Sequence, residues 1–205
     1  MSTRASAIHR GLRLEYFTVA WNLLEAAVAL VSGAVAGSIA LIGFGLDSLI
    51  EVSSGGVLLW RLSADRDEER RETVERTALK LVGLSLILLA AYVAGDSVFS
   101  LVRRESPQRS VPGIALAIAS LIAMPLLARA KRRVASALGS SALQADSRQT
   151  DICAYLSAIL LVGLLLNAAF GWWWADPLAG LVMVPLIAYE GSEALRGKTC
   201  CQDCG

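Results

Sequence analysis

Charged residues are scarce in this chain, and their signs nearly cancel. Asp, Glu, Lys and Arg make up 18% of the 205 residues, and the formal net charge at pH 7 is +1. Nucleic-acid binding expects a strongly basic face, so this balance gives no support to a nucleic-acid partner. Apolar residues are abundant instead: 55% of the chain is hydrophobic and the mean hydropathy is +0.56. The composition therefore predicts an integral membrane protein.

Six apolar stretches are each near or above the roughly 20 residues that span the hydrocarbon core of a bilayer. They cover residues 14–35, 37–61, 78–101, 111–130, 144–170 and 176–192. The sequence therefore predicts an all-α membrane protein, a bundle of six transmembrane helices joined by short loops. We expect an amino-terminal segment at 1–13, a membrane domain at 14–196 and a short cysteine-rich tail at 197–205.

The basic residues predict the orientation of the bundle. Lys and Arg cluster before the first stretch and after the second, fourth and sixth, whereas the other side holds only Arg103, Arg104 and Arg109. By the positive-inside rule, both termini are expected in the cytoplasm. The first apolar run is too long for a signal peptide and contains Glu25, so it is interpreted as a helix. The compact form suggests a multi-pass protein of a bacterial cytoplasmic membrane.

Two acidic residues, Asp47 and Glu51, lie four positions apart inside the second apolar stretch. Positions i and i+4 share one face of a helix, and each acid near the bilayer centre costs about 2.5–3.5 kcal/mol on insertion scales. Adjacent carboxylates also repel unless a cation or protons lie between them. The pair therefore predicts a cation site, whereas the serines and threonines nearby are more simply interpreted as hydrogen-bonding groups between helices.

The fifth stretch offers a second polar face, which contains Gln149 and Cys153. Counted at 1.5 Å per residue from the outer helix ends, Glu51 lies roughly 21 Å deep and Cys153 roughly 24 Å deep, so they could meet. Two carboxylates and a thiolate suit zinc or cadmium better than magnesium or calcium, although a buried cysteine is often only a small apolar residue. The predicted metal ligands are Asp47, Glu51, Cys153 and Gln149, with no tightly bound cofactor.

Three segments of the chain form a recognisable pattern: GFGLDSLIE in the second stretch, SALQADSRQT at the start of the fifth and WWADPLAGL at the start of the sixth. With these segments, the chain resembles the cation diffusion facilitator (cation efflux) family of divalent-metal transporters. The resemblance covers residues 14–196 and implies six helices, short loops and cytoplasmic termini. It also implies an acidic pair on the second helix, which falls on Asp47 and Glu51.

On the fifth helix the chain departs from the pattern of that family. The family usually has a His and an Asp four apart there, and alignment of Ala145-Asp146 places Gln149 and Cys153 at those positions. Glutamine is a weak ligand that cannot titrate, whereas a cysteine thiolate is a strong, soft one. Family members commonly exchange metal for protons, but the single histidine of this chain, His9, lies outside the spans. The groups left for proton exchange are Asp47, Glu51, Cys153 and Glu25.

Three further polar residues are expected near the site. Glu25 and Asn22 of the first helix would form an outer vestibule, a proton path or a buried hydrogen-bonded pair. Asp146 is expected at the cytoplasmic mouth, where it would attract cations, pair with Arg148 or Arg133, or join the metal. Asp176 precedes a proline and is expected to cap the sixth helix.

The last residues are rich in cysteine. Cys200, Cys201 and Cys204 resemble a short thiolate metal site, because the last two have C-x-x-C spacing. A disordered reduced tail is the simpler interpretation. The resembled family generally continues into a cytoplasmic domain that dimerises, and no such domain is expected in this chain. A homodimer would then rest on contacts between helices.

These features favour a secondary transporter that exports a divalent cation in exchange for protons by alternating access. The cation is expected to be zinc, with cadmium, cobalt, iron(II) or manganese as alternatives. No catalysis is implied. Two other interpretations stay open: a membrane metal sensor or adaptor that uses the same site without transport, and a protein whose acids relay protons without metal. The expected partners are lipid, the metal ion and a second copy of the chain.

Overall fold

The computed structural model describes residues 2–63, 68–105, 107–139 and 141–196. In that part of the chain the helices are α1 (Ser2–Ala36), α2 (Ile39–Ser63), α3 (Glu68–Arg103), α4 (Val111–Leu138), α5 (Ser141–Phe170) and α6 (Ala175–Leu195). Each contains a segment long and apolar enough to cross a membrane. The predicted all-α fold with six membrane-spanning helices is therefore confirmed. The side on which the termini lie stays a prediction.

Successive helices run in opposite directions. The end of α1 meets the start of α2, where Gly33 contacts Ile42, and the first half of α1 meets the last turns of α2, where Val19 contacts Gly55. Four reversals of this kind separate α2 from α6, so the two helices begin at the same end of the bundle and run in the same direction. This shared direction matters below, because both helices carry acidic residues.

The turn between α1 and α2 is held by a side chain of α6. Gly37 has a φ of +66°, a conformation that favours glycine, and the first amides of α2 have no partners within their own helix. The carboxylate of Asp176 accepts hydrogen bonds from the backbone N–H of Ile39 at 2.9 Å and from the hydroxyl of Ser38 at 2.5 Å. Asp176 thus caps α2.

The prediction that Asp176 caps its own helix was wrong. The residue lies inside the first turn of α6, and the N-cap position there is Trp174, which makes no side-chain capping bond. A cap must precede the first turn to reach its free N–H groups. From within the turn, Asp176 is directed to another helix instead.

The bundle has an apolar interior and an apolar exterior. The largest fully buried side chains include Phe44, Leu86, Leu156, Leu160 and Met183, which come from four helices. Large apolar side chains are also exposed on the outside, among them Leu81, Leu88, Val102, Ile122 and Leu126. Such an outer surface is favourable against lipid and unfavourable against water. The chain is an integral, multi-pass membrane protein.

The packing of α3 against α6 depends on two facing glycines. A Cβ atom at Gly83 would lie 2.8 Å from the backbone oxygen of Gly191 and 2.7 Å from the backbone nitrogen of Leu195. Backbone atoms cannot rotate aside as a flexible side chain can. Small residues at helix crossings allow this close approach in membranes.

We expect Gly83→Ala to lower the free energy of unfolding by about 1–3 kcal/mol, the usual cost of overpacking, because α3 and α6 must separate. The matched control is Gly95→Ala in the same helix, where nothing lies within 4 Å of the added Cβ. That change should be neutral or stabilising by about 0.5–1 kcal/mol. Denaturant unfolding in detergent, followed by circular dichroism, measures both. Equal effects of the two changes would contradict the crowded contact.

Candidate functional site

The structure buries the acidic pair of α2 inside the bundle. Asp47 is 1% exposed and Glu51 is 8% exposed. Glu51 Oε2 accepts a hydrogen bond of 2.7 Å from the side-chain amide of Asn22, whereas Asp47 Oδ1 is buried with no hydrogen-bond partner. A buried carboxylate oxygen without a donor is costly. A bound cation would satisfy it.

Glu25 of α1 has a different environment from the pair. Its Oε1 accepts hydrogen bonds from Trp21 Nε1 at 2.6 Å and from the hydroxyl of Ser120, and its Oε2 accepts one from the hydroxyl of Ser48 at 3.3 Å. These donors lie on α1, α4 and α2. Glu25 therefore joins three helices with both of its oxygens accepting hydrogen bonds, and its carboxylate also interacts electrostatically with Asp47 and Glu51.

Asn22 contacts the acidic pair directly, through Glu51. The amide nitrogen of Asn22 donates to Glu51, while its Oδ1 is buried with no hydrogen-bond partner. Asn22 thus orients Glu51 and leaves a second unoccupied oxygen acceptor near the acidic pair. Of the two accessory residues predicted on the first helix, the structure brings Asn22 into direct contact with a predicted ligand.

The fifth helix brings Cys153 to the acidic pair. Cys153 is completely buried, and its thiol lies within electrostatic range of Glu51 and Asp47. Gln149, one turn earlier on α5, accepts a hydrogen bond of 3.4 Å at its Oε1 from the hydroxyl of Ser54 on α2. The predicted partners on α5 therefore both face α2.

The hydroxyl groups beside them have local partners. Thr150 donates to the backbone oxygen of Asp146, and Ser157 donates to that of Cys153. These bonds lie within α5 and link no helices. Their hydroxyl hydrogens are therefore used within α5, whereas Gln149 reaches across to α2.

Glu190 of α6 is a further acid at this place, and it is not among the ligands predicted from the sequence. Its Oε1 is buried with no hydrogen-bond partner, and its carboxylate interacts electrostatically with Asp47 and Glu51. A signal was present, because Glu190 lies inside the sixth apolar stretch and an acid within a span is a functional candidate by default. Its place near the end of that stretch also suits a solvated acid, so the sequence alone does not decide.

A second charged cluster lies nearer the termini. The ammonium group of Lys131 is 3.3 Å from Glu15 Oε2 and 2.5 Å from Asp146 Oδ2, and the side chains of Lys131 and Glu15 are 0% exposed. The cluster joins α4, α1 and α5. The fourth apolar stretch was predicted to end at residue 130, but α4 continues to Leu138, so Lys131 lies inside the helix. Asp146 is therefore ion-paired in this structure.

The candidate ligands face one region without forming a closed shell. In the described ranges, no group of three His, Cys, Asp or Glu side chains is arranged to hold a metal ion. Adjacent carboxylates repel one another unless a cation or protons lie between them, and this repulsion opposes a closed shell of acidic ligands without either. The predicted tail site at Cys200, Cys201 and Cys204 lies outside the described residues and stays a prediction.

Comparison with known proteins places the chain in a family. The model of the cation efflux transmembrane domain matches residues 16–198. An uncharacterized transporter of Synechocystis sp. is 29% identical over 169 residues, which are 80% of this chain and 54% of the relative. An uncharacterized transporter of Methanocaldococcus jannaschii is 27% identical over 177 residues, which are 83% of this chain and 62% of the relative.

A third relative carries a more specific name. The cation-efflux pump FieF of Shewanella oneidensis is 30% identical over 82 residues, which are 40% of this chain and 26% of the pump. The chain thus spans less than two thirds of the length of these relatives. The family model, in contrast, extends over the acidic pair of α2, the polar face of α5 and the whole of α6. This match confirms the resemblance found in the sequence, and the chain belongs to the cation efflux family, whose transmembrane domain it carries.

Proposed function

We propose that this protein transports a divalent cation across the membrane through a site formed by Asp47, Glu51 and Cys153. The observation that carries the proposal is the buried, unpartnered Oδ1 of Asp47, one helical turn from a second buried carboxylate. Burying two like charges is costly, and a divalent cation neutralises both at once. Membership of the cation efflux family and the cation-efflux pump among the relatives support the same conclusion.

The ligand types favour zinc as the cation. Zinc binds thiolate, carboxylate and amide or water oxygen in four-coordinate sites, and the thiol of Cys153 lies within electrostatic range of the carboxylate of Glu51. Gln149 is held against α2 by Ser54, so its side chain is close enough to supply a neutral ligand. Harder cations such as magnesium prefer shells of oxygen alone. Cadmium, cobalt, iron(II) and manganese are the alternatives.

The division of the ligands between two helices suits alternating access. Asp47 and Glu51 lie on α2, and Cys153 lies on α5, so a rocking of one helix against the other opens the site to one side at a time. Protons would take the place of the departing metal on the carboxylates and the thiol, because the single histidine of the chain, His9, lies 13 residues before Asn22 on α1. With the termini in the cytoplasm, the proposed direction is export. We further propose a homodimer in a bacterial cytoplasmic membrane.

Flux and binding measurements distinguish this function from its alternatives. In proteoliposomes the protein is expected to carry zinc across the bilayer with opposite proton movement, detected by an internal zinc indicator and a pH dye. Protein-free liposomes are the control. Tight zinc binding without flux would identify a sensor or adaptor and would overturn transport. Proton movement that ignores zinc would identify a proton relay.

A further inference from the structure

The acidic residue on α6, Glu190, lies at the depth of the acidic pair. Asp176 at the start of α6 contacts Ile39 at the start of α2, and the two helices run in the same direction. At 1.5 Å per residue, Glu190 is about 21 Å beyond the first of these contacts and Glu51 is about 18 Å beyond the second. The two carboxylates therefore lie at nearly the same level of the bundle.

Glu190 also lies on the inward face of its helix. The buried residues of α6 include Asp176, Gly180, Met183 and Ile187, which follow one another at spacings of three or four. Residues at these spacings share one face of a helix, and Glu190 follows Ile187 by three positions. Glu190 lies at the edge of this face: the residue is half-buried, its Oε1 is fully buried, and its carboxylate interacts electrostatically with Asp47.

Glu190 lies beside a close contact between α6 and α3. The next residue, Gly191, faces Gly83 of α3: a Cβ atom at Gly83 would lie 2.8 Å from the backbone oxygen of Gly191. Two helices in such contact leave little freedom for the residue beside it. The contact between α3 and α6 thus limits the movement of α6 where it carries Glu190.

Three oxygen acceptors in this region are buried without a hydrogen-bond donor. They are Asp47 Oδ1, Glu190 Oε1 and Asn22 Oδ1. Asp47, from which one of these oxygens comes, is 1% exposed, so water reaches it poorly. Lys131 interacts electrostatically with Glu51, but its ammonium group is already ion-paired with Glu15 and Asp146. Protons would neutralise the two carboxylates one at a time, whereas a single bound cation would satisfy the three oxygens together.

We propose that Glu190 is a third carboxylate ligand of the transported cation, contributed by α6. The proposal rests on the proposed function above and deepens it. With Glu190, the ligands come from α2, α5 and α6, and three carboxylates accompany the single thiol of Cys153. Carboxylate ligands suit harder divalent ions, whereas thiolate selects softer ones. Glu190 therefore moves the preference of the site toward zinc, iron(II) and manganese.

Zinc affinity of the full chain in detergent, measured by isothermal titration calorimetry, tests the role of Glu190. Glu190→Gln keeps the size and removes the charge, and it is expected to weaken zinc binding by at least about 10–100-fold, the loss typical of even outer-shell changes at metal sites. Glu190→Asp keeps the charge on a shorter side chain, so a smaller loss is expected. The matched control is Glu193→Gln on the same helix. The carboxylate of Glu193 lies 3.9 Å from Arg196, so this substitution should leave the zinc affinity unchanged.

The outcomes separate this proposal from the proposed function. If Glu190→Gln binds zinc within twofold of the wild type while Asp47→Asn does not bind it, Glu190 is not a ligand and the transport site stands. If Glu193→Gln loses as much affinity as Glu190→Gln, the effect is general charge loss, and the ligand role is overturned. If the wild type neither binds nor carries zinc, both proposals fail. Circular dichroism of each variant establishes that it is folded.

Discussion

Asp47→Asn is expected to reduce zinc flux in proteoliposomes by at least about 100-fold, since loss of an outer-shell group alone commonly costs 10–100-fold. Asparagine matches the size of aspartate, but it removes the charge that balances the cation. Its carbonyl oxygen is a weak ligand, and its amide nitrogen cannot bind a cation at all. The same change is expected to keep or raise the free energy of unfolding, because it removes a buried carboxylate whose Oδ1 has no donor. Loss of function with unchanged or increased stability is the mark of a binding residue.

The matched control for this change is Asp151→Asn on α5. Asp151 is ion-paired with Arg132, and both side chains are about a third exposed, so the pair should be worth no more than about 1 kcal/mol. Zinc flux by this variant should equal that of the wild type. Flux that survives in Asp47→Asn, or a large loss of stability in that variant, would contradict the assignment of Asp47 to the cation site.

The sequence was sufficient for features that depend on neighbours along one helix. Six long apolar runs predict six spans, because only a helix satisfies all backbone groups within lipid. The spacing of Asp47 and Glu51 places them on one face through helical geometry alone. The place of Cys153 opposite Glu51 followed from counting depth in two antiparallel helices, and the structure brings the two within electrostatic range.

Contacts between segments far apart in the chain could not be predicted from the spacing of residues along one helix. The hydrogen bond from Ser38 to Asp176 joins residues 138 positions apart, and no local pattern distinguishes a cap of α2 from a cap of α6. Glu190 likewise becomes part of the site only because α6 runs beside α2. Such pairings are set by packing of whole helices, which a single sequence does not specify.

Helix ends were also underestimated, because apolar content marks the membrane core and not the helix. α1 begins at Ser2 and α4 ends at Leu138, well outside the apolar stretches predicted to begin at residue 14 and to end at residue 130. Helices continue into polar sequence where side chains find partners. For α4 this extension decides the environment of Lys131, which becomes a buried charge instead of a loop residue.

Lys131→Met is expected to lower the free energy of unfolding by about 3–5 kcal/mol, the cost of removing one partner from a buried ion pair. Methionine has nearly the length of lysine and fills the same space, so little is lost in packing. What is lost is the ammonium group that lies 3.3 Å from Glu15 and 2.5 Å from Asp146. Glu15 would then hold a charge at 0% exposure with its cation removed. Denaturant unfolding in detergent, followed by circular dichroism, measures the loss.

Two further variants separate the ion pair from other effects of the substitution. Arg129→Met, at an exposed position two residues away, should change the free energy of unfolding by less than about 0.5 kcal/mol. Adding Glu15→Gln to Lys131→Met removes the stranded anion, so the double variant should recover much of the loss, as expected for coupled partners. If Lys131→Met costs no more than Arg129→Met, the charge on Lys131 does not hold α1, α4 and α5 together. If the double variant shows no recovery, the loss comes from packing, and the ion pair contributes little to the bundle.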